Sequence, residues 1–178
     1  PATLENCEGG GASSGSRRRA FLPASFDKPV IAAVNGAAAG GGLGLVLFCD
    51  IAICSDDAVF VSPYAGLGVM DDETLVQLIK KTTPGWAMWM ALSGKRIDAQ
   101  TALRIGLVNE VLPKDRLMGR ARDMAEGILY NAPAAVLAIK EKMKAALETT
   151  FRDALQNVGR YEEELNKTTL WREGFQAV

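Results

Sequence analysis

The chain has 178 residues, 48% of them hydrophobic, with 20 basic against 21 acidic side chains, three cysteines and no histidine. That length suits one domain able to bury roughly 70% of the surface its unfolded chain exposes. A net charge of -1 with interspersed signs leaves no electrostatic footprint for nucleic acid or an anionic membrane. The lack of histidine excludes Ser-His-Asp and Cys-His nucleophiles and every His-containing zinc site, so acid/base work near pH 7 falls to carboxylates, Lys, Tyr or Cys.

Cys7, Cys49 and Cys54 form no C-x-x-C pair, which fits neither a disulfide framework nor a metal knuckle and points to a reducing cytoplasm. No apolar run reaches the ~18 residues of a membrane span, and the N-terminus lacks the pattern of a signal peptide. Residues 1–25, with Gly9-Gly10-Gly11 and Arg17-Arg18-Arg19, read as a loop or poorly ordered segment. Within it, Gly11 to Gly15 matches G-x-S-x-G, but no strand precedes the motif and no histidine exists to serve its serine.

From Phe26 the composition changes. The β-branched run Val30 to Val34, between Pro29 and Asn35-Gly36, predicts a strand buried on both faces. Gly41 to Phe48 is apolar without alternation and predicts a short buried helix. Ile51 to Cys54 and Val59 to Val61 read as strands separated by the turn Ser55-Asp56-Asp57. Strands alternating with helices at this spacing define an α/β fold with parallel strands.

The second half is helical. Leu75, Leu78 and Ile79 make one stripe and Trp86, Trp89 and Met90 another, divided by Pro84-Gly85. Asp98 is an N-cap for the helix over Ala99 to Leu103, Gly106 ends that helix, and Leu107 to Val111 reads as a strand. Three amphipathic helices follow, on Leu117/Ala121/Met124/Ile128, on Val136/Ile139/Met143/Leu147 with Pro133 in its first turn, and on Phe151/Leu155/Val158/Leu165. These stripes imply core packing or an oligomer interface.

The run Gly36 to Gly44 carries chemistry of its own. It fails the dinucleotide fingerprint, and it fails the P-loop because Gly42 stands where lysine is needed. What remains is a strand, a small-residue turn and a helix whose first N–H groups no side chain masks. That arrangement suits an oxyanion hole, although spacing alone favours a tight turn that needs close backbone approach.

Lys28 to Gly36, Gly40-Gly41-Gly42, Cys49 to Ile53, Leu67-Gly68-Val69, Ala91 to Ala99, Ala102 to Val111 and Arg172-Glu173-Gly174 together closely resemble the crotonase (enoyl-CoA hydratase/isomerase) superfamily in order and spacing, from about Phe26 to Val178. The resemblance implies a crotonase-like spiral of ββα units over residues 26–112 holding an acyl-CoA site, and a C-terminal helical region over 113–178 that forms a homotrimer or hexamer. It also implies that coenzyme A arrives as part of the substrate, with no permanently bound cofactor and no metal.

In that family a thioester oxygen is held by the N–H of the middle glycine, here Gly41, with Gly40, Gly42, Tyr64 and Met70 beside the substrate. The second N–H donor comes from an earlier loop that residues 1–25 do not show, so the chain reads as the larger part of a longer domain. Hydratases of the family carry one glutamate two residues after the glycine triplet and another in a Pro-Glu pair; here those positions hold Gly44 and Tyr64. Some isomerases and dehalogenases instead use an aspartate four residues after the glycine of Leu-Gly-Val, which falls on Asp72. By its bland reading Asp71 or Asp72 caps the helix near Glu73, and Tyr64 lines the pocket.

The expectation is an acyl-CoA enzyme in which Gly41 stabilises a thioester enolate and Asp72 shuttles a proton to move a double bond. The rival expectations are hydration, hydrolysis or cleavage of a specialised acyl-CoA, and a non-catalytic CoA-binding assembly subunit.

Overall fold

A computed structural model describes residues 26–70 and 72–148; the side chains of Asp72, Glu73 and Glu148 are outside that description. The expectations for residues 1–25 and for the stripe Phe151 to Leu165 fall on residues not described.

Two three-stranded sheets are built by one repeated step. Strand β1 (Ile31–Val34) hands over to β2 (Ala37–Ala39) through Asn35-Gly36, and helix α1 (Gly41–Phe48) closes the unit. The step recurs with β3 (Ile51–Ser55), β4 (Val59–Val61), a single 3-10 turn (Tyr64–Leu67) and α2 (Asp72–Lys81). In each unit the first strand joins one sheet and the second joins the other. β1 and β3 pair in parallel with Ile31 opposite Ile51, and β2 and β4 pair in parallel with Ala38 opposite Phe60. This is the ββα spiral of the crotonase fold.

Later elements complete both sheets. Helix α3 (Pro84–Ser93) leads to the two-residue strand β5 (Ile97–Asp98), which runs antiparallel to β4 and departs from the all-parallel expectation. Helix α4 (Ala99–Arg104) then leads to β6 (Glu110–Leu112), parallel to β3, giving the order β1-β3-β6 in one sheet and β2-β4-β5 in the other. Helices α5 (Lys114–Leu129) and α6 (Pro133–Glu148) follow.

The local sequence accounts for these boundaries. Asp98 Oδ1 accepts the Thr101 N–H at 2.7 Å, capping α4, and Gly106 turns the chain out with φ 80°. The expected strand over Leu107 to Val111 is displaced toward its end. The N–H groups of Leu107 and Val108 close the end of α4 on Ala102 O at 2.9 and 3.4 Å, and both side chains enter the core, so neither residue joins a ladder. Asn109 then aligns the chain, taking the Ala52 N–H on its Oδ1 at 3.0 Å and giving its own N–H to Ala52 O at 2.7 Å.

Strand β2 has no counterpart in the sequence reading, because three alanines carry neither β-branching nor polar alternation. Only Ala38 of the three is buried. The core unites Leu43 and Leu47 of α1, Cys54 of β3, Phe60 of β4, Leu78 of α2 and Met90 of α3. On α3 the inward residues are Ala87 and Met90. Trp86 is half-buried against the core and Trp89 is exposed; the two form an edge-to-face pair with ring centroids 5.6 Å apart, and Arg104 covers Trp86.

On α6 the expected apolar stripe faces outward. Ile139, Met143 and Leu147 are exposed, while Lys140 is buried among the described residues. Its ammonium donates to Lys28 O and to Asp50 Oδ2, both at 2.6 Å. Among the described residues no helix is long and apolar enough to cross a membrane.

Candidate active site

The site lies at the start of α1, where β2 ends. Gly40 has φ 51° and ψ −117°, a conformation L side chains rarely adopt. Its N–H bonds Val61 O on the neighbouring strand at 3.1 Å, and its carbonyl takes the Gly44 N–H at 2.9 Å, closing the first turn of the helix. The turn leaves the N–H groups of Gly41 and Gly42 without an acceptor among the described residues. Both glycines are exposed, and a Cβ on either would meet nothing within 4 Å. An open pair of amides at the positive end of a helix is a place where negative charge on an oxygen is stabilised.

The other end of α1 is closed. Lys81 Nζ, reaching over from α2, donates to Cys49 O at 2.8 Å, placing a cation at the negative end of the helix. Burial pushes the Lys81 ammonium below its ordinary pKa, partly offset by Asp50, and burial pushes the Cys49 thiol above its own. Cys54 is raised to about 11 by burial and Asp56, so neither cysteine is an activated nucleophile.

Tyr64 stands beside the glycine turn. A Cβ on Gly40 would lie 3.2 Å from the Tyr64 hydroxyl and 3.6 Å from Cζ, so the ring tip fills the space that a side chain at position 40 would need. The segment carrying Tyr64 is held by its own turn: Gly66 N–H bonds Pro63 O at 3.1 Å and Val69 N–H bonds Tyr64 O at 3.1 Å. Gly94, ending α3 with φ 60°, brings that helix against Ser62 and Pro63; a Cβ there would lie 3.6 Å from Ser62 O.

Position 44 is walled off. A Cβ on Gly44 would lie 3.1 Å from Thr74 Oγ1, and Thr74 is 2% exposed. The sequence reading gave Thr74 no catalytic role. Of the remaining expected residues, Met70 is 73% exposed and follows the Tyr64 turn, while Asp72 is the first residue of α2. The structure thus brings Gly40, Gly41, Gly42 and Tyr64 together around one helix start.

The chain also matches known proteins in sequence and in fold. Residues 21–178 match the model of the enoyl-CoA hydratase/isomerase family, and the chain belongs to that family. Among curated relatives it is 44% identical over 124 residues to a carnitinyl-CoA dehydratase of Citrobacter koseri, covering 69% of this chain and 48% of that protein. It is 39% identical over 135 residues to the carnitinyl-CoA dehydratase of Escherichia coli strain K12, covering 75% and 52%. The chain therefore spans about half the length of the curated relatives it matches.

Two solved structures are similar as well. An enoyl-CoA hydratase/isomerase from Mycobacterium paratuberculosis superposes with TM-score 0.81 at 32% identity, covering 87% of this chain and 62% of the other. Human enoyl coenzyme A hydratase domain-containing protein 3 gives TM-score 0.81 at 28% identity, covering 91% and 64%.

Proposed function

We propose that the protein processes an acyl-CoA thioester through an enolate, with the Gly41 N–H holding the developing oxyanion and Asp72 as the acid/base that moves a double bond. In this reading Asp72 takes a proton from the carbon next to the thioester. Charge passes to the carbonyl oxygen at Gly41, and the proton returns at the γ-carbon, converting a 3-enoyl to a 2-enoyl thioester. Coenzyme A enters and leaves as part of the substrate. The observation that carries the reading is the open Gly41 N–H on a helix whose other end is closed by Lys81. Hydration by two carboxylates is disfavoured because Gly44 bears none and Thr74 already occupies the space beside it.

A second reading is elimination of water from a 3-hydroxyacyl thioester through the same enolate, favoured by the dehydratase names of the relatives. Self-association as a trimer or hexamer belongs to the proposal too, and the outward row Ile139, Met143 and Leu147 on α6 supports it.

The oxyanion role is tested at Gly41 itself. Position 41 is the first residue of α1, where proline is tolerated, so Gly41→Pro removes the N–H with little effect on the helix. Turnover is expected to fall about 100- to 1,000-fold. Gly41→Ala keeps the N–H and is expected to stay within a few-fold of wild type. Equal activity of the two variants would remove Gly41 from the mechanism. Unchanged isomerisation of 3-enoyl-CoA by Asp72→Asn would remove Asp72.

A further inference from the structure

We propose that Tyr64 is a further catalytic residue whose hydroxyl gives its proton to an oxygen leaving the β-carbon of the acyl chain, the acid that the second, dehydrating reading needs. The inference rests on the enolate reading above and adds to it the group that dehydration requires and isomerisation does not.

Three observations carry it. The Tyr64 hydroxyl lies 3.2 Å from the position of a Cβ on Gly40. Standard bond lengths then place it at most about 7 Å from the Gly41 nitrogen. A thioester oxygen seated ~2.9 Å from that amide has its β-carbon within the same span. Secondly, the tyrosine is set by backbone contacts on both sides of it. Pro63 and Tyr64 carbonyls accept from Gly66 and Val69, and the end of α3 packs against Ser62 and Pro63 through Gly94. A preset donor costs little reorganisation when the reaction occurs. Thirdly, position 44 is a glycine and supplies no carboxylate, and a Cβ there would already press on Thr74 Oγ1 at 3.1 Å. The leaving oxygen needs a proton from another group, and Tyr64 is the ionisable side chain that the described structure sets against the glycine turn.

The step balances. A base removes the α-proton, that electron pair forms the bond between the α- and β-carbons, and the β-carbon–oxygen bond breaks. The departing hydroxyl takes the Tyr64 proton and leaves as water. Phenols ordinarily hold their proton at pH 7, so tyrosinate recovers one from solvent, and the base releases its own to solvent. The sum is one 3-hydroxyacyl thioester giving one 2-enoyl thioester and one water, with no oxidant or reductant.

The test compares wild type with Tyr64→Phe, which keeps the ring beside Gly40 and removes only the hydroxyl. Two substrates are used, 3-hydroxybutyryl-CoA and 3-enoyl-CoA, with circular dichroism and thermal melting to confirm the fold. General acid catalysis contributes about 100- to 10,000-fold, so kcat for dehydration is expected to fall at least ten-fold more than kcat for isomerisation, with KM little changed. Equal losses on the two substrates, or a change in KM alone, would overturn the assignment and make Tyr64 a lining residue. Turnover of 3-enoyl-CoA without any turnover of 3-hydroxybutyryl-CoA by wild type would overturn this inference while leaving the enolate reading intact. Turnover of neither would overturn both.

Discussion

Lys140 and Asp50 are 90 positions apart, yet the lysine ammonium lies 2.6 Å from the aspartate Oδ2, with side chains 7% and 24% exposed respectively. The pair ties α6 to the corner between α1 and β3. Asp50 Oδ2 also takes the Val30 N–H at 2.7 Å, so one carboxylate anchors both the entry to β1 and the last described helix.

Breaking such a pair costs most when the more deeply buried charge is left behind. Asp50→Asn can keep its amide oxygen on both the Val30 N–H and the ammonium, since one oxygen takes both, but leaves the buried charge without a counter-ion, and is expected to cost about 3–5 kcal/mol. Lys140→Met leaves the more exposed carboxylate with its Val30 bond and is expected to cost less, about 2–3 kcal/mol. Urea unfolding of both variants and of the double variant checks the order. A double variant no more stable than Asp50→Asn would show that the ammonium is not the source of the cost.

Gly44 and Thr74 define a second coupled pair, this one by contact. Alanine in a helix interior is worth roughly 0.5–1 kcal/mol over glycine, but the added methyl at position 44 would press on Thr74 Oγ1 at 3.1 Å. Gly44→Ala is therefore expected to be neutral or destabilising in the native background and stabilising in a Thr74→Ala background. A coupling of about 1 kcal/mol is the expected result of the double-mutant cycle. Gly44→Glu on its own is expected to add little hydratase activity, because its Cβ must first displace Thr74 Oγ1, 3.1 Å away.

Arg120 holds Glu110 with Nε at 2.8 Å from Oε2 and Nη2 at 2.6 Å from Oε1, joining α5 to β6. The hydrogen bond and charge of Arg120 keep the Glu110 carboxyl below its ordinary value of 4.5. A depressed carboxylate contributes stability that is complete above its unfolded pKa and is lost as pH falls through the folded one. Because the arginine is 41% exposed, the contribution is screened and stays below about 1 kcal/mol. Glu110→Gln is expected to lower Tm by about 1–3 °C at pH 7, with the gap closing below pH 4.5. A gap that persisted at low pH would mean packing rather than charge.

The sequence was most readable where physical signals were redundant. The cap at Asp98 and the stop at Gly106 each combine a residue type with the one conformation it favours and stand as expected, whereas the strand ending at Val34 forms but is half-buried along its length rather than buried on both faces. Ala37 to Ala39 carried no such signal, since a strand made of alanines is set by its ladder partner β4. Lys140 was hidden for the opposite reason. A lysine reads as a surface residue, and only the fold, by bringing Asp50 and the Lys28 carbonyl together, makes a buried place for it. In the site, the glycine turn was legible as a string, whereas the Tyr64 hydroxyl beside Gly40 and the Thr74 wall behind Gly44 arise from residues 24 and 30 positions away in sequence.

The order β1-β3-β6 also sets a sequence of events during synthesis. β3 finds β1 as soon as it emerges, but its other edge waits for Glu110 to Leu112. At ~5–20 residues per second, the ribosome needs several seconds to reach that strand, and meanwhile Ile51-Ala52-Ile53-Cys54 presents an apolar, unpaired edge. Nascent chains halted before Glu110 are thus the species in which neighbouring polypeptides on one message have the most to gain by pairing with each other.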